Sequence, residues 1–245
     1  MLAHAVRAGD TLLQLALHYG TTMEGILAAN PTVDFHNVAS GQVIAIPQIA
    51  APEHIAAEAV PVAAPAAVMT RAALHDALRS LWEQHVMWTR LAIISAAAGL
   101  PDMNLTVARL LRNASDMEAA LRPFYGDAAA AQFGSLIKNH LLIALQLVSA
   151  AKAGNTQAAQ EAERQWYANA DAIAEALSTM NPYISKEEFR RMLYNHLAMT
   201  KAEAVARLSG DFANDIRLYD SIEQQALSMA DMMSDAIARQ FSLSA

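Results

Sequence analysis

Three histidines occupy the same local setting. His85 follows Gln84 and stands fourteen residues before Gly99. His140 follows Asn139 and stands fourteen before Gly154, and His196 follows Asn195 and stands fourteen before Gly210. Each is flanked by apolar residues: Leu81, Val86 and Trp88; Leu136, Leu141 and Ile143; Leu193, Leu197 and Met199. A neutral imidazole is a nitrogen donor of borderline softness, so three in one layer would suit a divalent metal such as zinc, copper or iron. The carboxylates that could join them are Glu83, Glu203, Asp220 and Glu223. The competing reading makes each histidine a separate packing residue, bonded to a carbonyl or carboxylate on the next helix, as a single core histidine usually is. The methionines at 192, 199, 229, 232 and 233 read as core filler rather than as thioether ligands.

Other chemistries drop out on inspection. The chain has no cysteine, which removes disulfides, thiolate zinc sites and thiol nucleophiles together. Ser135 with Lys138, and Ser149 with Lys152, match a Ser-x-x-Lys spacing, but no Lys-Thr-Gly strand accompanies them. The helical region has no Glu-x-x-His of a di-iron bundle, and the chain has no His-Glu-x-x-His, phosphate loop or dinucleotide fingerprint. The balance of these exclusions favours a protein that is not an enzyme, with no certain cofactor and a divalent metal as the one the histidines would take.

The elements that would position the histidines are long helices. From Arg71 onward the apolar residues recur at helical spacing, and no Val/Ile-rich strand pattern occurs. The pattern predicts helices at about 71–98, 103–124 (broken near Asn113 and Pro123), 127–153, 155–180, 185–208 and 211–241. Ser185 and Glu188 form a capping box that starts the fifth. A shift of 56 residues superimposes Asn139-His140-Leu141 on Asn195-His196-Leu197, Phe133 on Phe189, Ala150 on Ala206, Ala170 on Ala226 and Ala174 on Ala230. Short connections force sequential helices to run antiparallel, so the expectation is an all-α bundle of three antiparallel hairpins, about six helices. If the three hairpin turns lie at one end, each histidine sits roughly 21 Å from its turn, and the three share one height.

The first 48 residues have a different texture. His4-Ala5-Val6-Arg7 reads as a strand; Asp10 or Thr11 caps a helix bearing Leu12, Leu15 and Ala16, which Gly20 ends. Thr22 caps a second helix from Met23 to Ala29, stopped by Asn30-Pro31 because a residue before proline resists the α region. Ser40-Gly41 turns into the strand Val43 to Ile46, closed by Pro47. The blocks Val6-Arg7-Ala8-Gly9-Asp10-Thr11-Leu12, Ala16-Leu17-His18-Tyr19-Gly20-Thr21-Thr22, Leu27-Ala28-Ala29-Asn30-Pro31 and Gly41-Gln42-Val43-Ile44-Ala45-Ile46-Pro47 resemble the LysM family. That resemblance implies a βααβ module with a shallow groove for N-acetylglucosamine polymers, and it places the groove on Gly9, Asp10, Thr11, Leu12, Asn30, Pro31 and Val33. Leu13, where many members carry Trp, and Ser40, where the family has Pro, depart from the pattern and would weaken binding without changing the fold.

Between the two regions, residues 49–70 hold Pro52, Pro61 and Pro65 among many alanines and read as a linker. The expected organisation is a LysM domain at 1–48, an Ala/Pro-rich linker at 49–70 and an all-α bundle at 71–245. Net charge is −7 and no basic block occurs, so nucleic acid is not an expected partner. The N-terminus lacks the pattern of a signal peptide, and no apolar run reaches the ~20 residues of a membrane span. The bundle bears a faint resemblance to helical domains of spore-forming bacteria, which carries over no functional residue. Together these readings imply a peptidoglycan- or chitin-binding protein, located at the cell wall or spore surface or in the cytoplasm, whose partners are the glycan and other coat or wall proteins. The runners-up are a metal-dependent helical enzyme delivered to the wall, and an accessory of a phage tail or secretion apparatus.

Overall fold

The computed structural model describes residues 1–7, 15–16, 19, 21, 23–31, 33, 40–47 and 69–244. The chain separates into two compact units, Met1–Ala66 and Ala67–Ala245. The expected linker falls almost wholly on residues 49–68, outside the described ones.

In the first unit, β1 (Leu2–Ala5) pairs antiparallel with β2 (Val43–Ile46), placing Leu2 opposite Ile46 and Ala5 opposite Val43. The first strand thus begins two residues earlier than its sequence suggests. Val6 still takes part in the pairing: its N–H donates to Gln42 and its carbonyl accepts from Gly41, at 2.8 and 2.7 Å. The helix α1 (Met23–Ala29) stops at Asn30, as Pro31 dictates. Leu15 and Ala16 are helical too. Val6, Leu15, Ala16, Ile26, Ile44 and Ile46 form the core, with Tyr19 and Val33 packed against it.

The second unit is entirely helical. Its helices are α2 (Arg71–Ala98), α3 (Met103–Lys152), α4 (Thr156–Met180), α5 (Lys186–Ser209) and α6 (Phe212–Gln240). The helix α3 is two segments joined at Gly126, whose φ of 75° and ψ of 172° are not helical. Glycine tolerates that backbone, which a Cβ would strain. The break therefore lies three residues past Pro123, and the break expected near Asn113 does not occur. Counted by segment, the described residues of this unit form six helices in three antiparallel hairpins. Sequential helices pack on one another, and α6 packs back on α2, which closes the ring.

The three hairpin turns use the same chemistry. Gly99, Gly154 and Gly210 have φ of 67°, 70° and 80°, the left-handed region that ends helices. The residue after each glycine donates its N–H five residues back: Leu100 to Ser95, Asn155 to Ala150 and Asp211 to Ala206, at 3.0, 2.9 and 2.9 Å. Asn155 and Asp211 then cap the return helices through their side chains, and Ser185 caps α5 at the backbone N–H of Glu188. The helix α3 is the one described helix long and apolar enough to cross a membrane. Half of its most apolar window is buried inside the bundle.

Candidate functional site

The turn geometry sets the height of the histidines, and helix packing sets their direction. His85 on α2, His140 on α3 and His196 on α5 point into the bundle and are 2, 3 and 3% exposed. Their ring centroids are 6.2, 6.0 and 6.5 Å apart. One nitrogen from each lies within 4.8 Å of the other two.

Each ring is held by an amide on the return helix of its own hairpin. Nδ1 of His85 lies 3.0 Å from Oδ1 of Asn113, that of His140 lies 3.0 Å from Oδ1 of Asn169, and that of His196 lies 3.0 Å from Oε1 of Gln225. Each amide NH2 donates to the carbonyl one helical turn before its histidine: Asn113 to Leu81 (2.9 Å), Asn169 to Leu136 (3.1 Å) and Gln225 to Met192 (3.0 Å). A backbone carbonyl only accepts, so each amide must turn its oxygen toward the ring. That oxygen also only accepts, so Nδ1 carries the proton. In all three rings Nε2 is therefore left with a bare lone pair.

One protein donor meets these lone pairs: Nε1–H of Trp166 donates to Nε2 of His140 at 3.1 Å. Burial holds the rings neutral. It lowers His85 to about 4 and, together with repulsion from His85, His196 to about 3, against the weaker raising effect of their amide partners. His140 is pushed well below its ordinary value by burial first, then by repulsion from His85 and His196.

The layers around the histidines repeat the threefold pattern. Two turns farther from the hairpin glycines lie Leu78, Phe133 and Phe189, all buried. On the glycine side, one turn on, come Thr89, Ala144 and Thr200, and two turns on Ile93, Val148 and Ala204, which pack as one cluster. A cavity of about 10 Å³ lies on that side, lined among others by Thr89, Ala144, Thr200 and Trp166. The Thr89 hydroxyl donates to the carbonyl of His85 at 2.7 Å, whereas that of Thr200, 4% exposed overall, has no hydrogen-bond partner.

None of the carboxylates proposed from sequence joins the rings: among the described residues the group close enough to share an ion is the three histidines alone. Glu203 is 2% exposed but is taken by Arg90, whose Nη1 lies 2.5 Å from Glu203 and 2.6 Å from Asp215. Arg207 completes that network on Asp215 at 2.7 Å. Sequence reasoning did not select Asn113, Asn169, Gln225 or Trp166. The signal was present, since the three amides follow their histidines by 28, 29 and 29 residues.

In the first unit, Gly9, Asp10, Thr11 and Leu12 lie outside the described residues. Pro31 is exposed, whereas Val33 is half-buried against the core. The side chain of Asn30 is committed to the fold: Nδ2 donates to Ile26 and Ala45 at 2.7 Å each, and Oδ1 accepts from the N–H of Ala45 at 2.7 Å. It clamps the end of α1 to β2, so any contribution of Asn30 to a groove comes through the loop that it shapes.

Searches of the curated proteins and of the solved structures return no match to the chain. The family profile of the LysM domain matches residues 4–47. The match takes in the end of β1 and all of α1 and β2. Residues 4–47 are therefore a LysM domain, a module for peptidoglycan- or chitin-type glycans, joined in one chain to a helical bundle built around three histidines.

Proposed function

We propose that this is a non-enzymatic glycan-binding protein of the cell wall or spore surface, held there by its LysM domain, with the bundle serving assembly or carrying a small ligand. The observation that carries the reading is the LysM match over residues 4–47. LysM domains act in wall and extracellular settings, and the binding residues assigned by resemblance are Gly9, Asp10, Thr11, Leu12, Asn30, Pro31 and Val33. A chain of net charge −7 gains nothing electrostatically from anionic wall polymers, so attachment rests on sugar contacts. A single shallow groove gives weak binding, and dense display of the protein would strengthen it by avidity.

The test is co-sedimentation of the full chain with insoluble peptidoglycan and with chitin. Retention that soluble N-acetylglucosamine oligomers compete away, and that deletion of residues 1–48 abolishes, supports the reading. Equal retention after that deletion overturns it.

A further inference from the structure

We infer that His85, His140 and His196 form a binding site for one divalent first-row metal ion of borderline softness, zinc above all, with one coordination position left for an exchangeable ligand. The inference rests on the bundle alone and is independent of glycan binding.

The amide lock is the first argument. Three separate helices bring one ring nitrogen each within 4.8 Å of the other two, and the same amide–carbonyl relay occupies Nδ1 in all three, leaving Nε2 as the free lone pair. Histidines that ligate metals characteristically donate their other ring N–H to such a partner, which orients the ring and raises its basicity. An independent packing histidine needs a hydrogen bond, but it does not need a ring nitrogen brought so close to two others.

The distances fit after a small closure. Nitrogens no more than 4.8 Å apart have a common centre no more than about 2.8 Å from each, and a Zn–N bond is about 2.0–2.1 Å. Each ring would move in by under about an ångström, which small helix and rotamer adjustments supply. The donor set selects the ion. Three neutral imidazoles, with no carboxylate or thiolate in the group, disfavour magnesium and calcium and suit zinc, copper, nickel or cobalt.

The open position follows from the number of protein ligands. Three protein ligands leave a tetrahedral ion one short, as in sites that hold an exchangeable water. Trp166 is the competitor. Its N–H holds the His140 lone pair at 3.1 Å, and it must swing off when the ion takes that nitrogen.

The other arrangement that the geometry accommodates is a buried water donating to His85 and His196 while Trp166 serves His140. The experiment separates the two. The full chain is stripped with chelator, then titrated with Zn²⁺ and, in parallel, with Co²⁺, following heat, the visible cobalt spectrum and tryptophan fluorescence. Expected are one ion per chain, cobalt bands of a low-coordinate nitrogen site, a change in tryptophan emission and a higher melting temperature. The variant H75Q, which alters a half-exposed histidine outside the cluster, should behave as the parent. The single variants H85Q and H196Q should each lose at least about a hundredfold in affinity, and circular dichroism reports whether they remain helical. Should the histidine variants not fold, N113A, which leaves all three rings in place, should bind about 10–100-fold more weakly. A folded parent that takes up no ion overturns the proposal in favour of the water network. Binding that persists unchanged in folded H85Q, or in N113A, places the ion elsewhere and overturns it equally.

Discussion

The indole of Trp166 donates its N–H to Nε2 of His140 at 3.1 Å, in the same plane of the bundle where His85 and His196 turn in from two other helices. The contact breaks the threefold pattern. The residue three positions before each amide is Leu110, Trp166 or Ile222, all buried and all in equivalent places, yet only the tryptophan carries a donor. Among the described residues, Trp166 is the protein donor that meets one of the three lone pairs.

Trp166→Phe should remove that donor while keeping most of the aromatic packing. The lost buried hydrogen bond predicts about 1–3 kcal/mol of destabilisation in metal-free protein. Zinc affinity should rise, because the ion no longer displaces an indole. Urea unfolding and zinc titration of the variant check the two effects; weaker zinc binding would mean that Trp166 orients His140 rather than competing for it.

Stability of the metal-free bundle should fall as pH drops. The unfolded histidines take protons near pH 6.5, whereas burial lowers folded His85 to about 4 and His196 to about 3. Between those values the unfolded chain binds more protons, so acidification favours it. The stabilisation is fully present above pH 6.5 and is lost progressively down through the folded values. Each such histidine contributes roughly 2 kcal/mol to the difference between pH 7 and pH 5. Urea midpoints at the two pH values measure it, and folded His→Gln variants should show a shallower dependence.

Arg90→Met should be far more damaging than its position near the bundle surface suggests. The guanidinium lies 2.5 Å from Glu203 and 2.6 Å from Asp215, which are 2% and 0% exposed. Removing it leaves buried carboxylates short of a partner, a loss of about 3–5 kcal/mol. Restoring stability by also changing Glu203 to Gln would identify the unpaired charge as the cause; a drop under about 1 kcal/mol would mean that Arg207 alone balances the site.

Asn30→Ala should act on the first unit only. It deletes one hydrogen bond to α1 at Ile26 and two to β2 at Ala45, and leaves these buried and part-buried backbone groups without their partner. The expected cost is at least about 1–3 kcal/mol to that unit, with loss of retention on peptidoglycan as it unfolds. Amide NMR spectra of the full chain would show the change in residues 1–47 and unaltered signals from the bundle.

The sequence by itself determined the LysM domain and the helical hairpins. Both are written in local physics: Asn30-Pro31 stops α1, Gly99, Gly154 and Gly210 supply left-handed turns, and apolar spacing marks the long helices. Equal spacing from those glycines also determined that the three histidines share one height. Local rules failed by small amounts where neighbours intervened, as when pairing through Val6 moved the start of β1, and when Gly126 rather than Pro123 or Asn113 broke α3. Only the tertiary structure decided the facing of the rings, because rotation of a helix about its axis is set by what packs on either side. It alone gave Asn113 to His85, Asn169 to His140 and Gln225 to His196, and it withdrew Glu203 into the arginine network. Spacing along a helix fixes height; the direction of a lone pair depends on a partner 28 or 29 residues away, brought into place when the hairpin folds back.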